Sequence, residues 1–277
     1  MTQFIASHTD GKICLVGAPY DSTTSYRPGA RFSPAAIREA SQSLETFSFQ
    51  QLFDLEDCSF MDTGDLNLPF GDPRPALEEI ETAVTELLEQ NKLPFLIGGE
   101  HLTSLGAVKA IAKRHPSMKV IHLDAHADLR EDYLGQKLSH ATVMKRIADI
   151  VGIDSIRQYG VRSCTQDEYI LGKDLRADPG QILSWAEGSP CYITCDLDIL
   201  DPSVLPGTGT PEPGGISFQE LTDALIELIG NLSVAGMDVV ELAPHYDPSG
   251  VSSVVAAKII RESLIALSKK KEQAVGN

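Results

Sequence analysis

Three short stretches carry side chains able to hold a cation: Gly98-Gly99-Glu100-His101, Asp124-Ala-His126-Ala-Asp128 and Asp196-Leu-Asp198. Residues at i, i+2 and i+4 of an extended segment point the same way. Asp124, His126 and Asp128 are therefore expected on one side, as are Asp196 and Asp198, with Ala125, Ala127 and Leu197 turned toward a core. His101, supplied from a Gly-Gly turn, completes a set of four carboxylates and two imidazoles. Four carboxylates within a few ångströms repel and raise one another's pKa values, and two divalent cations balance their charge. An oxygen-rich, thiol-free set favours manganese, with cobalt or nickel as further candidates, over a tetrahedral zinc site. Two such ions sharing a water lower its pKa toward neutrality and make a hydroxide nucleophile. Any one of these residues alone reads as a helix cap, a turn or a core residue; the combination does not. Cys195 precedes Asp196, but alternation puts its thiol on the opposite side.

The elements that must position these groups are legible in outline. Short apolar runs without strict alternation, as expected of strands covered on both faces, occur at Ile13–Gly17, Cys58–Asp62, Pro94–Ile97, Lys119–Leu123, Ile156–Val161, Cys191–Cys195 and Val234–Val240. Helical segments fall between them: one starting at Ser33–Pro34 with Ser33 as N-cap, one at Asp72–Pro73, then Leu102–Arg114, Ala141–Val151, Phe218–Ile229 and Val254–Ser268. Such alternation predicts a parallel sheet with helices on both faces. In sheets of this kind ligands bind outside the carboxyl ends of the strands, and each candidate stretch directly follows a predicted strand. No repeat or low-complexity linker interrupts the chain, so one domain over residues 1–277 is expected. The Pro/Gly-rich stretches Ser25–Pro34 and Asp201–Gly215 read as long functional loops.

Composition narrows the function classes. The chain has 277 residues, 42% hydrophobic and 22% charged, with 23 Lys plus Arg against 39 Asp plus Glu and a net charge of −16. A chain this acidic is a poor candidate for nucleic acid or anionic lipid. Its five cysteines form no metal or disulfide pattern, which points to a reducing compartment. No signal peptide is read in Met1–Asp10, and no run of about 20 apolar residues exists. A cytoplasmic location is expected.

These motifs, with Ser25-Tyr-Arg-Pro-Gly-Ala-Arg-Phe, Asp196-Leu-Asp-Ile-Leu-Asp-Pro-Ser, Pro206-Gly-Thr-Gly-Thr-Pro-Glu-Pro-Gly-Gly and Val240-Glu-Leu-Ala-Pro-His-Tyr-Asp-Pro-Ser, resemble the ureohydrolase (arginase/agmatinase) family over nearly the whole chain. The resemblance implies a three-layer αβα sandwich around a mainly parallel sheet of about eight strands. It also implies a binuclear manganese centre, two Mn2+ per subunit, and a homotrimer or homohexamer. By the same resemblance His101, Asp124, Asp128 and Asp196 hold one ion, and His126, Asp124, Asp196 and Asp198 the other. Asp128 would also accept a hydrogen bond from the bridging hydroxide. His140, in Leu138-Ser-His140-Ala-Thr, matches the histidine that shuttles protons to the amine product; read without the family, the segment is equally a helix start capped by Ser139. Relatives often have Gly where Ala141 stands. Glu241 matches the carboxylate that holds the guanidinium, which suits the paired hydrogen bonds this geometry gives.

The implied reaction is attack of metal-bound hydroxide on a guanidinium carbon, releasing urea and an alkylamine. Asp128-Leu-Arg130-Glu-Asp, the Arg27–Arg31 loop and the Pro206–Gly215 loop resemble bacterial agmatinases, which implies agmatine as substrate, putrescine as product and a role in polyamine metabolism. Arg130 could instead hold a carboxylate, as 4-guanidinobutyrate or arginine would require. Asp247 reads equally as a second contact for a cationic end or as a turn residue. A binuclear phosphoesterase usually places its Asp-x-His motif first, whereas here Gly64-Asp65 and Gly98–His101 precede Asp124. A binding protein of this fold would be expected to lack ligands, and a deacetylase of the related fold has a single zinc.

Overall fold

The computed structural model describes residues 2–275, and the side chains through residue 270. In chain order the strands are β1 (Ile13–Ala18), β2 (Phe47–Ser48), β3 (Phe53–Asp54), β4 (Phe60–Asp65), β5 (Leu93–Gly98), β6 (Lys119–Leu123), β7 (Ile156–Tyr159), β8 (Pro190–Asp196) and β9 (Ser233–Val240). The helices are α1 (Ser33–Ser41), α2 (Pro73–Glu89), α3 (Ser104–Arg114), α4 (Val143–Val151), α5 (Gln166–Gly172), α6 (Pro179–Ala186), α7 (Phe218–Asn231) and α8 (Val251–Val275). Seven strands form one sheet in the order β4-β1-β5-β9-β8-β6-β7, every pairing parallel, and β2-β3 form a separate antiparallel ribbon. The sheet has one strand fewer than the expected eight or so, and the seven are those the apolar runs mark.

Alternation along each strand divides the core into two layers. Phe95, Ile97, Ile121, Leu123 and Cys195 pack with Ile37 of α1, Leu225 of α7 and Ile260 of α8. Leu96, Val120 and Tyr192 pack on the other face with Ile80 of α2, Val108 of α3 and Ile147 of α4. This is the αβα sandwich, and it explains why the strands are apolar on both faces.

Element ends shift where local geometry intervenes. Cys58 caps a 3-10 turn over Leu55–Asp57, so the strand expected there begins later, at Phe60. Ser33 is not the N-cap of α1 but its first residue, because a 3-10 turn over Ala30–Phe32 leads straight into the helix. The expected cap at Asp72 is present, its side chain accepting from Arg74 N. Asp65 is a structural partner of Arg38, which also holds Asp62 at 2.8 Å.

Gly99 shows how tightly the strand ends are packed. A Cβ there would lie 1.9 Å from the Tyr20 carbonyl oxygen, and the flanking backbone is already bonded, Gly99 N to Ala18 O and Glu100 N to Tyr20 O. Gly99→Ala must therefore displace backbone. We expect it to destabilise the metal-free protein by about 3 kcal/mol, measured by denaturant unfolding.

Candidate metal centre

The sheet delivers its polar residues to one edge. His101 follows β5, Asp124, His126 and Asp128 follow β6, Asp196 ends β8 with Asp198 just beyond it, and Glu241 follows β9. These four strands are neighbours in the order β5-β9-β8-β6, which is why residues up to 140 positions apart meet.

All six expected ligands converge. His101 Nδ1 lies 3.0 Å from Asp124 Oδ2, 3.4 Å from Asp128 Oδ2 and 3.2 Å from Asp196 Oδ2. His126 Nδ1 lies 2.9 Å from Asp198 Oδ2 and 3.6 Å from Asp124 Oδ1. Donor atoms of His101, His122, Asp124 and Asp128 form one group within reach of a single ion, and those of Asp124, His126 and Asp198 form a second. Asp196 stands outside both groups but beside His101. Ala125, Ala127 and Leu197 are buried, as alternation predicts, and Cys195 is buried in the opposite layer.

The local backbone achieves this differently from a continued strand. β6 ends at Leu123, and Asp128 reaches the cluster through a left-handed conformation, φ +50°, rare for a residue with a side chain. Asp198 lies in a 3-10 turn, Leu197–Ile199, whose start is capped by Asp196 accepting from Asp198 N at 2.8 Å. Two carboxylates two residues apart meet here through a turn and not through a pleat.

Neighbouring groups fix the ligand atoms. Thr194 donates to Asp238 Oδ1 at 2.7 Å, so its oxygen accepts from His101 Nε2–H at 2.9 Å. That leaves Nδ1 as the lone-pair atom. It is buried, without a hydrogen-bond partner and aimed between three carboxylate oxygens. Such an orphan fits coordination of a cation shared with those carboxylates. Asp198 also accepts from Ala125 N at 3.1 Å and from Thr210 Oγ1 at 3.2 Å, which brings the Pro206–Gly215 loop over the site. His122, Thr194 and Asp238 were not singled out from the sequence. The spacing signal for His122 was present, because it extends the i, i+2 series Asp124, His126 backward into the strand.

Electrostatics favour positive charge at the centre. Burial, then Asp198 and Asp124, hold Asp196 well above the usual carboxylate range; burial and Asp124 likewise raise Asp198. Asp124 is held well below that range: burial pushes it up, but His122, His101 and His126 outweigh it. Burial lowers His126, yet Asp198 and Asp124 pull it up to about 12; His101 is raised in the same way by Asp124, Asp128 and Asp196.

Glu241 is buried, has φ +68° and accepts from His101 N at 2.6 Å. Burial, then Glu100, raises it well above the usual range although the His101 N–H opposes this. Glu100, buried under Thr23 and Thr24, is pushed up to about 7 by burial. His140 is also buried, with Nε2 3.0 Å from Ser25 Oγ, and burial pulls its pKa below the usual value. The helix-start reading of its segment is seen directly, since Ser139 caps the turn that His140 begins, in a capping box with Thr142. Asp247 is a turn residue: it accepts from Ser252 N and Ser252 Oγ, each at 2.7 Å, at the start of α8. A pocket of about 270 Å³ opens over the cluster, lined by Asp128, Asp196, His126, His140, Tyr133 and Arg130 among others. Glu241 is not in that lining. Arg130 approaches Glu168 at 3.6 Å and lies over the Tyr133 ring.

Residues 11–266 match the Arginase family. An agmatinase of Bacillus anthracis is 42% identical over 96% of this chain and 96% of its own. The chain belongs to the arginase family. Its enzyme class is accordingly that of a ureohydrolase, acting on guanidino C–N bonds. A Clostridium difficile crystal structure superposes with TM-score 0.90 and 42% identity over 95% of this chain and 99% of that one. The agmatine ureohydrolase of Thermoplasma volcanium superposes with TM-score 0.88 and 28% identity over 99% and 96%.

The geometry of the second group makes His126→Ala informative. We expect this variant to bind about one divalent ion fewer per chain than the parent by elemental analysis, with turnover nearly abolished. Metal uptake by the parent should release protons and tighten as pH rises, because the raised histidines must first lose theirs; a pH-stat titration measures this.

Proposed function

We propose that this chain hydrolyses the guanidino group of agmatine to putrescine and urea, with two manganese ions held by His101, Asp124, Asp128 and Asp196 and by His126, Asp124, Asp196 and Asp198. The observation that carries this reading is the buried four-carboxylate, two-imidazole cluster opening on one pocket. Cations held there supply a water acidic enough to attack at neutral pH and positive charge to offset the charge that develops.

The chain's own residues supply the rest. Glu241, buried and reluctant to ionise alone, gains a partner when a guanidinium docks, and a planar carboxylate–guanidinium contact orients the reacting carbon. Asp128, which lines the pocket, accepts a hydrogen bond from the attacking water in this reading. After water adds to the guanidinium carbon, the C–N bond to the alkyl chain breaks and that nitrogen must take up a proton. His140, lining the same pocket and with its pKa lowered by burial, accepts a proton and passes it on, a contribution of roughly 10²–10⁴-fold.

Agmatine is favoured over guanidino acids by the charge of the pocket. Arg130 is the Lys or Arg of its lining, and Glu168 already faces that guanidinium. A substrate carboxylate would compete for it, whereas the aminobutyl end of agmatine makes no such demand. Hydrolysis of 4-guanidinobutyrate or arginine, with Arg130 turned to the carboxylate, is the second reading. The same proposal includes a homotrimer or homohexamer, a single domain over 1–277 and a cytoplasmic setting. Among the described residues no helix is long and apolar enough to cross a membrane.

Urea release measured across agmatine, arginine and 4-guanidinobutyrate tests the substrate: agmatine should give the highest kcat/KM, and a higher value for either acid overturns the assignment. For Glu241→Gln we expect kcat/KM on agmatine to fall by about 10²-fold with metal content retained; an unchanged value would remove Glu241 from guanidinium binding.

A further inference from the structure

Beside the six candidate ligands stands a buried histidine that the proposed chemistry leaves unused. His122 lies on β6, two residues before Asp124, and is paired in register with Gln158 on β7; both side chains are buried. The orientation of the Gln158 amide is set by its surroundings. Its Nε2 lies 2.9 Å from the Ala127 carbonyl oxygen, which can only accept. The same NH2 group stands 2.8 Å from His122 Nδ1, so Nδ1 accepts and the ring proton resides on Nε2. That proton points at Asp124 Oδ2, 2.7 Å away.

We infer that His122 is a positioning residue for Asp124, donating from Nε2 with its tautomer imposed by Gln158, and is not itself a metal ligand. The inference rests on the reading of Asp124 as a ligand given above. Although His122 falls within ion-binding reach of His101, Asp124 and Asp128, its near nitrogen carries a proton and its lone pair faces Gln158. Asp124 Oδ1 accepts from His126 N at 2.5 Å, so the carboxylate is held at both oxygens and its plane is fixed. Gln158 extends the restraint: by also bonding Ala127 it ties the strand β7 to the loop that carries His126 and Asp128.

The test begins with metal-free protein carrying 15N-labelled histidine. The ring-nitrogen spectrum should contain an Nε2–H tautomer that disappears in His122→Gln. An Nδ1–H tautomer at this residue overturns the inference. Gln in place of His122 keeps an N–H donor near the Nε2 position, so it should bind the parental number of manganese equivalents with affinity within about threefold. His122→Leu should keep the parental circular dichroism and weaken manganese binding by about 10–100-fold. Gln158→Glu replaces the donor with an acceptor; it should move the ring proton of His122 to Nδ1 and weaken manganese binding although His122 is intact. Loss of a whole metal equivalent in His122→Gln, as expected for His126→Ala, would make His122 a ligand and sink the inference. The two levels separate cleanly. A parent protein that binds no divalent cation removes the centre itself, whereas normal binding by the parent and by His122→Leu removes only the role of His122.

Discussion

Four carboxylates buried together repel one another, and this repulsion is the constraint around which the molecule is organised. Asp124, Asp128, Asp196 and Asp198 all lie almost out of contact with solvent. In such surroundings a bare negative charge is far costlier than in water. Nearby histidines and hydrogen-bond donors relieve part of the cost, and the rest is shown by the raised Asp196 and Asp198. The arrangement is favourable only when positive charge occupies the middle, so the apolar sheet and its helices act as the frame that keeps mutually repelling groups from separating.

Holding them there takes backbone as well as side chains. Asp128 and Glu241 sit at positive φ, a conformation that costs energy for residues with side chains and clusters at functional sites. Gly99 leaves no volume between the His101 turn and Tyr20. Behind the ligands stand Thr194 and Asp238 for His101 and a backbone N–H for Asp198. The ligand atoms are thus aimed by neighbours that have no role in the chemistry of their own.

Much of this was legible in the sequence because strand ends and metal-competent residues coincide. The seven apolar runs became the seven strands, and the six expected ligands meet. The reasons differ in detail: Asp196 and Asp198 converge through a 3-10 turn and not through strand alternation. His122 shares the i, i+2 spacing of Asp124 and His126, but inside Lys119–Leu123 it reads as part of a strand, and only the neighbouring Gln158 gives its ring a direction. The helices α5 and α6 escaped because they are short, of seven and eight residues, although Thr165/Glu168 and Asp178/Gln181 form capping boxes at their starts. Asp247 stood undecided between turn and contact, and only its four hydrogen bonds to Ser249 and Ser252 settle it as a turn.

The strand order has a temporal consequence. β9, the last strand in the chain, inserts between β5 and β8. Until residues 233–240 are in place, the sheet exists as two separate halves: β4-β1-β5 carries His101, while β8-β6-β7 carries the other five. A chain lacking that strand therefore possesses all six candidate ligands but has no seam on which to join His101 to the other five. The group of Asp124, His126 and Asp198 can thus assemble on one half alone, whereas the group that includes His101 waits until β9 closes the sheet.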